Sequence, residues 1–395
     1  MAELGDFGLI VLAVASGAML ALLAAKATAR YPIPAPAVFL LAALAIPVAF
    51  PHIRTVERIC VVALIVILFD GGMHIGWRRF RRAIVPISVL GIVGTFTTAI
   101  VVTICAHFLI GFSWTLAGVL GAALAPTDPA VMFSILGDKE IGGRSGTILE
   151  AEAGVNDPVG IALMIGMLEF ATSDGGSSFS VVKELFVEMT VGLAIGIAGA
   201  ALLVLFMRRV RLPGEELYPL RALAAAGIIY GLASVAHGSG FLAVFIAGLA
   251  LSEIDVPHKR QIQRFHTALA SLGEIVVFVV LGLTVDVRQL FDGNVWLDGL
   301  VLAVALAFVA RPLGLAPLLA PMNLRLGEKL FIAWGGLKGA VPILLAAFAI
   351  LAQVDEARRI YEIVFVVVLF SVVVQGATVP FAASRLGVPM RTVGR

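Results

Sequence analysis

Residues 114–136 read Trp-Thr-Leu-Ala-Gly-Val-Leu-Gly-Ala-Ala-Leu-Ala-Pro126-Thr127-Asp128-Pro129-Ala-Val-Met-Phe-Ser-Ile-Leu. The run is long enough to cross a bilayer, which takes about 20 residues. Yet two prolines bracket a threonine and a carboxylate at its centre. Proline removes a backbone donor and clashes with the preceding turn, so the helix is expected to unwind over 126–129. Unwound backbone at membrane depth survives only where it is buried or lines a cavity. It frees carbonyl oxygens and exposes two half-helix ends, which is how transporters build ion sites.

A second interrupted run stands far along the chain. Residues 334–342 read Trp-Gly-Gly-Leu-Lys338-Gly-Ala-Val-Pro342, inside an apolar run at 329–351. Glycines on both sides of Lys338 and a proline four residues on mark another discontinuous helix. Interrupted segments in corresponding positions of two halves are the sequence sign of a transporter site. Lys338 is placed to neutralise facing half-helix C-terminal ends.

The rest of the chain supports a membrane setting. Of its 395 residues, 60% are hydrophobic and 14% charged, against ~25% charged in an ordinary soluble domain. A soluble fold could not hide so much apolar side chain. Thirteen apolar runs can be drawn, at 8–25, 33–50, 59–76, 83–110, 114–136, 147–171, 184–206, 219–236, 239–253, 267–285, 295–319, 329–351 and 360–381. With the N-terminus outside, 20 Lys and Arg fall in inside loops and 6 in outside loops, a strong positive-inside bias. The expectation is an all-α integral membrane protein of about thirteen spans, N-out and C-in. A single transmembrane domain over residues 1–395, with no soluble regulatory domain, is expected. The net charge of +2 has no clustered basic face, so no nucleic acid partner is expected. Cys60 and Cys105 lie in apolar runs as core residues, and the six histidines show no metal-type spacing.

A charge at mid-bilayer costs at least ~2.5–3.5 kcal/mol on insertion scales. Seven remain once loops are set aside: Asp70, Asp128, Glu150, Glu152, Asp157, Arg311 and Lys338, with Glu253 and Glu274 nearer span ends. Three of them fall in Glu150-Ala-Glu152-Ala-Gly-Val-Asn156-Asp157-Pro158. Glu152 and Asn156 share a helix face, and Asp157 points about 100° away. Pro158 is expected to loosen the backbone there. Arg311 needs a carboxylate partner, because an unpaired buried ion costs several kcal/mol; Glu152 is the choice. Asp70, in Phe-Asp70-Gly-Gly, either lines an inner funnel, as Glu150 also can, or caps its helix.

Taken in order, Phe-Asp-Gly-Gly, Thr-Asp-Pro, Glu-Ala-Glu-Ala-Gly-Val-Asn-Asp, Ala-Arg-Pro-Leu-Gly and Gly-Gly-Leu-Lys-Gly-Ala-Val-Pro resemble the monovalent cation:proton antiporters. These include prokaryotic sodium/proton and potassium/proton antiporters and the animal sodium/proton exchangers. The resemblance implies an inverted repeat, with broken helices five and twelve crossing at mid-membrane, and a homodimer in the cell membrane (inner or plasma membrane). Asp157 would match the ion-binding, proton-carrying aspartate, and Asn156 the branch associated with electroneutral exchange. Thr127 and Asp128 would match the contribution of the broken helix, and Glu152 and Arg311 the buried ion pair. Two positions depart: Ala153 stands where many relatives have Ser, and Lys338 where many have Arg. Phe-Asp-Gly-Gly-Met and Gly-Ala-Val-Pro-Ile resemble the potassium/proton branch, whose members often carry a cytosolic tail.

The expected function is therefore exchange of Na⁺ or K⁺ for H⁺ by alternating access, both competing for Asp157. Asn156, Thr127, backbone carbonyls and Asp128 would complete an all-oxygen shell for a hard cation. The transported ion is the metal expected at Asp157, Asp128 and Thr127, and no cofactor is implied. The alternatives are another ion-coupled carrier of organic solutes and an intramembrane aspartyl protease built on Asp128 and Asp157. Against the first, acids outnumber bases at the midplane; against the second, nothing in it explains Arg311.

Overall fold

A computed structural model describes residues 34–44, 53–128, 131–132, 136, 139–173, 178–254, 256–285 and 287–392, with Met19 and Leu23. The first expected span, 8–25, lies outside the described residues except for those two positions, as does Pro129. The described chain is helical almost throughout, because in lipid every backbone group must be satisfied within its own segment. The longer helices are α1 (Ala35–Leu44), α2 (Ile53–Ile75), α3 (Ile84–Ile110), α4 (Trp114–Leu124), α5 (Gly143–Thr172), α6 (Ser178–Arg209), α7 (Leu217–Val235), α8 (Gly240–Ser252), α9 (Lys259–Leu283), α10 (Val295–Leu319), α11 (Leu326–Trp334), α12 (Ala340–Leu351) and α13 (Ala357–Arg385), with short helical pieces at Trp77–Arg82, Val287–Phe291 and Asp292–Asn294.

Eight of these are long and apolar enough to cross a membrane: α2, α3, α5, α6, α7, α9, α10 and α13. Three shorter apolar helices, α4, α8 and α12, lie among them. Ser113 opens α4 and Ser239 opens α8, each hydroxyl accepting from a backbone N–H three residues on at 3.3 Å. That satisfies one of the donors orphaned at a helix start. α4 stops at Leu124 because Pro126 cannot continue it.

The described chain is all-α apart from one short ladder, in which β1 (Lys139–Ile141) pairs antiparallel with β2 (Met390–Thr392). The ladder is extended by Gly142 N–H donating to Pro389 O at 2.7 Å. These residues lie at helix ends, where the backbone has no helical partner and finds one in the other segment. One expectation needs correction: Pro158 does not open its helix, since α5 runs unbroken through it. The proline there removes one donor within a 30-residue helix, and flanking bonds and packing hold the rest.

Four π-helical turns interrupt the long helices, at Val89–Gly94 and Ala106–Ile110 in α3, Leu306–Ala310 in α10 and Ser371–Gln375 in α13. Such turns re-aim side chains and cluster at functional sites. One of them directly precedes Arg311, and another contains Ser371 and Gln375.

One large hydrophobic core gathers side chains of α2, α4, α5, α12 and α13, and a smaller one joins α2 with α6, α7, α8 and α9. α8 packs most closely against α2 and α6. Gly72 and Gly248 allow that approach, for a Cβ on either would strike the other helix's backbone. Outward residues such as Phe186, Leu193, Ile197 and Leu202 of α6 are exposed and apolar, as a lipid-facing surface requires.

Candidate functional site

The two interrupted helices meet. After α4 the chain lies outside any helix over residues 125–128, and between α11 and α12 it does so over 335–339. Asp128 N–H donates to Leu337 O at 2.8 Å, which stitches one break to the other. The ends they expose are then compensated in opposite senses. Lys338 Nζ, only 1% exposed, donates to Ala125 O at 3.0 Å and Pro126 O at 2.7 Å, just past the C-terminal end of α4. Asp128 Oδ2 accepts from Ala340 N–H, the first residue of α12, at 3.4 Å. A helix carries about half a positive charge at its N-terminus and half a negative charge at its C-terminus, so each side chain stands at the end its sign suits. Gly339 is required in this arrangement, because a Cβ there would overlap the Asp128 carboxylate.

A polar chain from α13 holds the same break from the other side. Lys338 N–H donates to Ser371 Oγ at 2.8 Å, and Ser371 Oγ to Gln375 Oε1 at 3.1 Å. Gln375 Nε2 donates to Trp334 O at 2.6 Å, capping the end of α11. Neither residue is singled out by the sequence reading. Their signal is modest: two polar residues four apart, on one face of an apolar run.

α5 delivers the carboxylates. Asn156 Nδ2 donates to Thr127 Oγ1 at 2.7 Å, and Thr127 N–H to Asn156 Oδ1 at 3.4 Å. Both ends of the amide are thus committed to the broken segment, tying α5 to it. Asp157, the next residue, is buried, and its Oδ1 has no hydrogen-bond partner among the described residues. The charges that reach it are those of Asp128 and Lys338. One turn earlier, Glu152 Oε1 accepts from Arg311 Nη2 at 2.9 Å, both side chains being under 5% exposed. The contact is single, for Glu152 Oε2 and Arg311 Nε make no hydrogen bond. Arg311 fills the space where a Cβ on Gly336 would lie.

The remaining acids are spread out. Asp70 sits inside α2 rather than at its end, and its Oδ1 accepts from Thr267 Oγ1 of α9 at 3.1 Å. Its Oδ2 faces His74 Nδ1 at 3.3 Å. His74 and Thr267 line one cavity of about 490 Å³. Glu150 lines another of about 400 Å³ with Arg79, Arg82 and Arg144. Glu253 pairs with Arg78 at 2.8 Å. Glu274, on α9, has a buried Oε1 without a hydrogen bond among the described residues, and the charge of Asp128 reaches it. Among the described residues no three His, Cys, Asp or Glu side chains gather as a metal site. A cation held here must draw on hydroxyl and carbonyl oxygens as well.

Crossed helix breaks with buried carboxylates on a neighbouring helix define an ion-transporter fold, and comparison with known proteins agrees. Residues 14–385 match the family described as "Sodium/hydrogen exchanger, transmembrane", and the chain belongs to that family. It is a multi-pass membrane protein of a transporter family rather than an enzyme, which removes the protease alternative. The chain is 37% identical over 317 residues to the K(+)/H(+) antiporter NhaP of Alkalimonas amylolytica, covering 80% of this chain and 55% of that protein. It is 29% identical over 368 residues to the Na(+)/H(+) antiporter ApNhaP of Aphanothece halophytica, covering 89% and 70%. Its fold is like that of the sodium proton antiporter MjNhaP1 from Methanocaldococcus jannaschii at pH 8, with a TM-score of 0.82 at 25% identity over 95% of this chain and all of that one. The chain spans little more than half the length of several curated relatives that it matches.

Proposed function

We propose that the chain exchanges Na⁺ or K⁺ for H⁺ across the cell membrane by alternating access, electroneutrally, with the two ions competing for Asp157. The observation that carries this is the state of the charges around the crossing. Lys338 is spent on two carbonyls, Asp128 Oδ2 on the start of α12, and Glu152 on Arg311. Asp157 keeps a carboxylate oxygen to which nothing among the described residues donates. An uncompensated carboxylate in this medium costs several kcal/mol, so it takes either a proton or a cation. Holding one excludes the other, and that exclusion couples the two fluxes without a separate gate.

The cation would be met by Asp157, by the remaining lone pair of Thr127 Oγ1 and by carbonyls freed at the breaks, a donor set suited to a hard ion. Asn156 acts mainly by fixing Thr127. Ala153, where many similar proteins carry Ser, supplies no hydroxyl. The Glu152–Arg311 pair holds α5 against α10. The finer architecture belongs to the same reading: thirteen spans with the N-terminus outside, an inverted repeat relating the broken helices, and a homodimer. The Lys and Arg distribution and the crossing of the two breaks support it.

Purified protein in liposomes with a trapped pH dye tests the proposal. A pH gradient is imposed, and Na⁺, K⁺ or Li⁺ is added in turn. Cation-dependent proton flux is expected in the parent and none in Asp157→Asn. Equal flux in the variant, or no flux with any ion, would overturn the mechanism.

A further inference from the structure

Two histidines flank Asp70, and the exchange mechanism uses neither. His266 is fully buried, its Nδ1 bonded to Ile262 O at 2.8 Å. His74 lies one turn beyond Asp70, its side chain 56% exposed at a cavity lined by Met73, Gln263, Arg264, Thr267 and Ala268. A single atom of it, Nδ1, faces two oxygens of Asp70: the backbone carbonyl at 3.0 Å and carboxylate Oδ2 at 3.3 Å. With Asp70 ionised both are acceptors only, so Nδ1 must carry the hydrogen in every charge state. Nε2 is then the nitrogen that gains or loses a proton.

We infer that His74 is a proton-controlled positioning residue for cation entry, its imidazole offsetting the Asp70 carboxylate when protonated and uncovering it when neutral. Thr267 Oγ1 holds the other carboxylate oxygen at 3.1 Å, so the carboxylate stays in place through the change. The cavity mouth therefore switches by one unit of charge without a backbone movement. Imidazole is the side chain whose charge changes near physiological pH. Other charges face the pair from neighbouring elements: Glu150 of α5, which acts on His74, and Arg264 of α9, which lines the same cavity. Arg78, just past α2, is already paired with Glu253. With those fixed, protonating His74 lowers the concentration of cations at the mouth, and deprotonating it raises it. A unit charge within contact range changes local ion occupancy about fivefold even at the dielectric constant of water.

This inference rests on the exchange reading, and the test separates the two. Cation-driven proton flux is measured in liposomes from about pH 5 to 10, spanning the imidazole range, for the parent, His74→Gln and His74→Arg. Flux in the parent at high pH establishes exchange independently of His74. In His74→Gln the mouth stays negative, so the apparent cation affinity at low pH should rise about fivefold. Its dependence on pH should fall towards one proton per cation. His74→Arg fixes the protonated charge, and its apparent affinity should stay low at high pH, where the parent's recovers. The two variants bracket the parent in opposite directions, which a mere loss of folding cannot do. Parent-like pH profiles in both would overturn the role of His74 while leaving exchange standing.

Discussion

The Glu152–Arg311 pair allows the sharpest test of how the site is held. Its two side chains are almost wholly buried and joined by one 2.9 Å contact. Removing either partner strands an ion, which costs about 3–5 kcal/mol, whereas replacing both by apolar residues of similar volume is often near neutral. The two single losses should not be equal. Arg311 fills the space above Gly336, and its charge reaches Lys338, two residues further along the break. Without Glu152, two buried cations face each other uncompensated, adding roughly 2–4 kcal/mol for unit charges about 4–8 Å apart at an effective dielectric constant near 20. Without Arg311, Lys338 still offsets Glu152. The expected order of destabilisation is therefore Glu152→Met above Arg311→Met, with the double variant milder than either. Equilibrium unfolding in mixed micelles of detergent and SDS gives the cycle, with a coupling energy larger than the bigger of the two single losses expected. Single variants within about 1 kcal/mol of the parent would refute the buried-pair argument. A double variant as damaged as the sum of the singles would do the same.

Two further outcomes follow from the site. Gln375→Leu leaves Trp334 O at the end of α11 without its donor, and should cost about 1–3 kcal/mol in the same unfolding measurement; a change under about 0.5 kcal/mol, the range of a neutral surface substitution, would show that the cap contributes little. If proton and cation compete for Asp157, acidifying the cation-loading side should raise the apparent KM for the cation. The maximal rate at saturating cation should stay constant, so a fall in that rate would place the two ions on different groups.

The elements that hydropathy reports well are those buried all round. α12 has nearly every residue covered, and its boundary with the break was readable from Gly339 and Pro342. α9 was less legible. It begins at Lys259, eight residues ahead of the apolar run drawn at 267–285. Its first turns bury Ile262 and His266 while exposing Arg260 and Arg264, so they are amphipathic and average out as polar. The β1–β2 ladder was invisible because it joins segments some 250 residues apart that are each too short to carry a pattern. At the site, the charges stood out in the sequence because lipid penalises them, but their assignments to partners did not follow from that. Asp128 reads as a ligand in sequence and meets the first amide of α12 in the fold. Asp70 reads as either a funnel residue or a cap, and in the fold it bridges α2 and α9. The π-turn that presents Ser371 and Gln375 to the break leaves no composition signal at all.

The placement of Asn156 bears on stoichiometry. Its amide must donate to reach Thr127 Oγ1 and accept to take Thr127 N–H, and it does both. A carboxylate at that position could accept the amide but would have to draw its second bond from the threonine hydroxyl instead. It would also place a second charge beside Asp157, on a helix whose other acid at this depth, Glu152, is already matched by Arg311. Two adjacent carboxylates would then seek compensation each time the site emptied, and a second proton would have to move with them. With Asn156 the amide fixes the broken segment while adding no charge. Asp157 is then the carboxylate that α5 brings to the break without a matching cation, and in the exchange proposed above one cation leaving would call for one proton entering. The electroneutral form of that proposal would then rest on a side chain that holds Thr127 in place.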